Sequence, residues 1–170
     1  MTTLLTRAIA GQFEAAFAMF TQCLDRCPHE HWDAPIAKYP FWHVAYHTLC
    51  FVDLYLSPGE KVWQPRTTAP NAFHPLGWTE LDEEYPSRRF PKAELLAYAA
   101  LLTPLIRATI ESESSERLAG ESGFSRLTFT RAELHIYALR HVQHHAGQLG
   151  AKLRTLGVDT QWIKSGHART

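Results

Sequence analysis

Two pairs of histidines at four-residue spacing carry the chemistry of this chain: His43 with His47, and His141 with His145. Both pairs fall in helical stretches, where residues i and i+4 project from one face, one turn apart. Two imidazoles so placed can grip one divalent metal ion. A third from a facing helix completes a three-histidine site that keeps a position open for water or substrate. Zinc, nickel, iron and copper all suit imidazole ligands, so the ligand set does not choose among them. Neutral ligands leave the charge of a bound ion uncompensated, and the ion lowers the pKa of a water or thiol in the open position. The expected chemistry is metal-dependent thiol transfer or hydrolysis on a small electrophile. The same residues admit a non-catalytic alternative: a structural metal ligated by both His43 and His47, or a small-molecule-binding stress protein. A third possibility, partly buried histidines with no metal, leaves several imidazoles unpaired at a cost in free energy that a metal would offset.

Other residues can join such a site. Gln148, one turn beyond His145, can hydrogen-bond a ligand imidazole or a water. Asp53 reads as a supporting carboxylate or, more simply, a surface one. Tyr46 and Tyr137 can donate to a substrate anion, or pack as core aromatics. A separate set, Cys23, Cys27, His29 and His31, has zinc-ligand residue types. Zinc modules place about a dozen residues or more between their ligand pairs, however, so Cys23 is expected in the core and the histidines in water.

Four helical segments must position these groups. The first runs from about Thr3 to Cys27, with Leu4, Leu5, Ala8, Ile9, Phe13, Ala16, Phe17 and Phe20 at three- and four-residue intervals, and Pro28 beyond its end. The second, Pro40 to Leu56, is apolar nearly all round and therefore central. The third runs from Pro91 to about Glu113, with Pro104 inside it as an expected kink. The fourth opens on the capping box Thr130-x-x-Glu133 and ends near Leu156, with Gly157 as the cap. At 100° per residue, Leu134, Ala138, His141, His145 and Gln148 lie within roughly 80° on the core-facing side. Residues 58–90 hold five prolines among Trp63, Phe73, Trp78 and Tyr85. A loop of that length in a compact domain is usually functional, and its aromatics suggest a cover packed over the bundle. The expected fold is an all-α four-helix bundle, a single domain over residues 1–170.

Composition narrows the partners. Lys plus Arg and Asp plus Glu both number 17, which removes the electrostatic reason to expect nucleic acid or an anionic membrane. No apolar run reaches 18 residues, so no transmembrane helix is expected, and the N-terminus lacks a basic then apolar leader pattern. Three cysteines, an odd number, fit a reducing cytoplasm rather than a disulfide framework.

At the histidine motifs the chain resembles the DinB/YfiT-like superfamily. The resemblance rests on His141-x₃-His145-x-x-Gln148, on Gln143 to Leu149 around it, and on Trp42-x₄-His47 in the second helix, with Gln161-Trp162-Ile163 similar to the aromatic ending of many members. It implies an up-down-down-up bundle, often homodimeric. It also implies a divalent metal on His47, His141 and His145, with His43 the competing residue at the first position. Members include S-transferases that use a low-molecular-weight thiol, a maleylpyruvate isomerase and metal-dependent hydrolases.

Overall fold

A computed structural model describes residues 2–166. Its longest elements are four helices: α1 (Thr2–Arg26), α2 (Phe41–Leu56), α4 (Lys92–Ser112) and α6 (Arg131–Thr155). Between them lie a two-residue hairpin, β1 (Pro35–Ile36) with β2 (Tyr39–Pro40), and two short helices, α3 (Thr79–Asp82) and α5 (Ser115–Ala119). The hairpin pairs antiparallel, Pro35 opposite Pro40 and Ile36 opposite Tyr39, within the connection between α1 and α2. The expected boundaries of the four long segments hold to within a residue or so.

The helices enclose one hydrophobic cluster. α1 packs on α4 and α6, and α2 packs on the same two, so α2 lies across the core from α1. The apolar stripe of α1 is spent on this contact from Ile9 onward, with Ala10, Phe13, Phe20 and Leu24 retaining no exposed surface, whereas Leu4, Leu5 and Ala8 at its start are exposed. α2 is buried almost all round, as its composition demanded. α4 contains an 18-residue window of mean hydropathy 1.4, long and apolar enough by those two measures to cross a membrane. Its apolar residues are nonetheless used as those of a core helix are, with Leu95, Tyr98, Ala99, Leu102, Ile106 and Ile110 packed inward. Pro104 sits within α4 on its exposed side, four residues after Ala100, which is also exposed. The carbonyl that loses its amide partner there faces water, so the helix continues through the proline.

Local chemistry sets the ends of α6. The Thr130 hydroxyl accepts from the Glu133 amide, which is half of the expected capping box. At the other end Gly157 takes φ +73°, its amide donates to the Arg154 carbonyl, and Val158 donates to Leu153. This is a Schellman ending, in which the left-handed position suits glycine. The chain then turns back along α1, where Gly166 donates to the Gly11 carbonyl and Gln12 donates to that of Lys164.

The segment between α2 and α4 is packed down through two of its four expected aromatics, Trp63 and Phe73, while Trp78 and Tyr85 stay exposed at 40% and 44%. Trp63, Phe73, His74, Glu80 and Phe90 are all buried. Tyr46 on α2 donates to the Phe73 carbonyl at 2.8 Å, and the Phe73 ring stacks on Tyr98 of α4 at 4.1 Å between centroids.

Candidate metal centre

α6 buries the row Leu134, Ala138, Val142, Ala146, Leu149 and Leu153. His141, His145 and Gln148 lie on the border of that row, half-buried, rather than at its centre. The sequence places them on the core side; the structure moves them to its edge, where Val142 takes the fully buried position. That displacement matters chemically, because a ligand set sealed in the core would admit no substrate.

Across from them, α2 presents His47, also half-buried. Three Nε2 atoms converge: His47 and His141 are 3.1 Å apart, and His141 and His145 are again 3.1 Å apart. Among the described residues this is the group of three that could hold a metal ion, with all three donor atoms within 4.8 Å of one another. Tetrahedral coordination at about 2.0–2.1 Å per bond places neighbouring nitrogens about 3.3 Å apart, so the spacing fits.

The protonation pattern fits as well. His145 Nδ1 lies 2.8 Å from the Gln148 Oε1. A carbonyl oxygen only accepts, so the proton is on Nδ1, and Nε2 turns a bare lone pair toward its two neighbours. Burial pushes the histidines away from the charged form. It is the leading cause in each case, followed by the neighbouring rings: His47 falls to about 4 and His141 to about 3. His145 is lowered too, with the Gln148 bond opposing burial. His145 has its tautomer set by a hydrogen bond; with His47 and His141 likewise protonated at Nδ1, three Nε2 lone pairs converge and attract a cation.

A cavity of about 290 Å³ opens on this group. His47 and His145 form part of its wall, with His43, Val44 and Phe51 of α2, Tyr39 of the hairpin, and Leu81, Glu83 and Glu84 from the α3 region. The 58–90 segment therefore contributes the outer wall of the cavity, which gives content to the expectation of a cover. Phe51 packs on His47 at 4.7 Å and on His141 at 5.5 Å between centroids. His43 is not in the convergent group. Between the two histidines of α2, His47 is the one that meets α6, and His43 lies one turn away along the cavity wall.

The remaining sequence candidates go elsewhere. Cys23 is buried, with its thiol on the Ala146 carbonyl, and Cys27 is buried beside it. Burial raises both thiols to about 11, while His29 is exposed, so these residues with His31 assemble no ligand group. Tyr137 packs edge-on against Tyr55 at 5.7 Å and is partly exposed. Asp53 is neither a surface carboxylate nor a support for the histidines. It is 6% exposed, paired in bidentate fashion with Arg66 at 2.8 and 2.9 Å, and accepts from the Tyr98 hydroxyl at 2.8 Å. His74 completes this network, its Nε2 3.3 Å from the Tyr98 oxygen and its Nδ1 accepting from the Arg66 amide. Arg66 and His74 gave no signal in the sequence, since an irregular proline-rich stretch has no periodicity to reveal which side chains turn inward.

Four long helices with a three-histidine group on the second and last of them agree with what the resemblance to that superfamily implied. The DinB superfamily model matches residues 12–149, most of the chain, and the protein belongs to that superfamily. No curated protein matches it.

Proposed function

We propose that this protein binds one divalent metal ion through the Nε2 atoms of His47, His141 and His145, and acts there as a thiol S-transferase or hydrolase on a small electrophile. The observation that carries this reading is the convergence of three neutral imidazoles, two of them in the wall of an open cavity. A divalent ion held by His47, His141 and His145 would supply Lewis acidity, lowering the pKa of a water or thiol bound with it. The chain's own residues do the rest. Gln148 fixes the tautomer and orientation of His145. Val44, Phe51 and Leu81 keep water from much of the cavity surface. Because two of the three ligands line a cavity, the open reading is favoured over a closed structural site, for which His43 would have to join the group.

The long segment between α2 and α4 is also the length of connection that up-down-down-up bundles use, and we assign that topology, as one domain that pairs as a homodimer in the cytoplasm. The test is elemental analysis of untagged protein with His47→Ala, His141→Ala and His145→Ala alongside. About one metal per chain, lost in each variant, is expected. Full retention in His141→Ala would sink the proposal.

A further inference from the structure

His43 is one helical turn from His47, lines the same cavity, and is not part of the convergent group. Its surroundings are unusual for a histidine that merely fills space. The ring is clamped by Tyr39 edge-on at 4.8 Å, by Tyr85 at 4.9 Å and by Trp42 at 5.4 Å between centroids. The residue is only 8% exposed, and its Nδ1 is sealed from solvent with no hydrogen-bond partner.

A sealed N–H without an acceptor costs more than a sealed lone pair, because the donor has lost a strong bond to water and found none in return. The proton of the neutral ring therefore resides on Nε2. That nitrogen is not sealed, and the surface that His43 retains is cavity wall. An N–H donor held in one orientation by three aromatic rings, one turn from a metal-ligand candidate, is a preorganised hydrogen bond awaiting an acceptor.

We propose that His43 is a ligand-positioning residue of this site: its Nε2–H donates to a carbonyl-type oxygen of the molecule bound at the histidine group. The substrate class this selects is a small two-headed molecule. One end offers a lone pair to the metal, the other carries a carbonyl or amide oxygen, and a short apolar body between them rests on Val44, Phe51 and Leu81. The inference rests on the metal-binding reading above.

The test uses cobalt(II)-loaded protein and two thiol probes of matched chain length, 3-mercaptopropanamide and 1-butanethiol, titrated by the thiolate-to-cobalt absorption band. Only the amide carries the oxygen. His43→Phe is expected to weaken the amide by about 5- to 10-fold, the worth of one neutral hydrogen bond, and to leave butanethiol within about twofold. His43→Gln, whose side-chain nitrogen reaches where the ring Nε2 stands, is expected to recover most of the amide affinity while butanethiol stays unchanged. Equal weakening of both probes would show a packing role and overturn the proposal, as would no weakening of either or failure of both to bind the loaded wild-type chain. Loss of cobalt from the His43 variants would make His43 a ligand and overturn it too. Failure of the wild-type chain to take up cobalt, seen before any probe is added, removes the metal reading itself and this inference with it.

Discussion

The hydrogen bond from His145 Nδ1 to Gln148 Oε1 at 2.8 Å makes a two-directional prediction. Gln148→Leu keeps the side-chain bulk near α6's border but removes the acceptor. His145 then has no partner holding its proton on Nδ1, and in its other tautomer Nε2 is an N–H that cannot ligate. A neutral hydrogen bond contributes about 0.5–1.5 kcal/mol, or roughly 2- to 13-fold. Removal of such partners from metal-ligating histidines costs about 10- to 100-fold in affinity. The two ranges meet near tenfold, the expected loss for Gln148→Leu. Gln148→Glu acts the other way, because a carboxylate accepts more strongly from Nδ1–H and makes Nε2 a better donor. It should equal or exceed the wild-type affinity. Competition for zinc against a chelating indicator at pH 7.5 reads both variants, and apoprotein melting temperatures separate a metal effect from a folding one. Zinc affinities of Leu and Glu variants that fall together, or neither moving, would refute the idea that Gln148 sets the tautomer.

Two further predictions concern what holds the cavity's framework. His74 is fully buried and held down to about 4, by burial first. The unfolded chain, with histidine near 6.5, takes up that proton first as pH falls, so the native state loses stability between about pH 6.5 and 4 by up to about 3 kcal/mol from this group. In apoprotein urea titrations across that window, His74→Phe should flatten the slope relative to wild type, and an unchanged slope would contradict the assignment. Arg131, 1% exposed, donates to the carbonyls of Tyr55, Leu56 and Ser57 at the end of α2 and pairs with Glu113 at 2.8 Å. Arg131→Met leaves those carbonyls and the carboxylate short of partners and should cost about 3–5 kcal/mol in urea unfolding, whereas a loss below about 1 kcal/mol would show that water replaces the guanidinium readily.

Helix periodicity carried most of the fold and the heart of the site. The spacing of His141, His145 and Gln148 put them on one side of α6, and their resemblance to a family motif selected His47 over His43, the choice the structure makes in its grouping. What periodicity could not resolve was their depth. An angular window of about 80° contains both a buried row and its border, and Val142, adjacent in sequence, competes for the centre. Apolar volume wins that position, since a neutral imidazole sealed there would lose its solvation without a partner. The role of Asp53 was hidden for a different reason. A lone carboxylate on an apolar helix is buried only if a cation reaches it, and that cation, Arg66, comes from an irregular segment whose path depends on tertiary contacts alone.

That dependence explains why so much polar structure is buried on the side of α2 away from the histidines. The cavity's outer wall comes from a short helix of four residues, α3, and its flanks, too small to hold a position by its own hydrogen bonds. Glu80 in α3 is buried, accepting from the amides of Leu76 and Ser87 and from the Ser87 hydroxyl at 2.6 Å. It closes the segment on itself. The Asp53–Arg66–Tyr98–His74 network and the bond from Tyr46 to Phe73 then tie that closed segment to α2 and α4. Hydrophobic contact could hold the segment down but not fix where along the helices it sits, because apolar packing has no direction. Charge-assisted and bidentate bonds do have direction. They place Leu81, Glu83 and Glu84 in the wall of the cavity that His47 also lines. One helix therefore serves two ends, with its face toward α6 presenting His47 and its face toward α4 anchoring the segment that encloses the cavity.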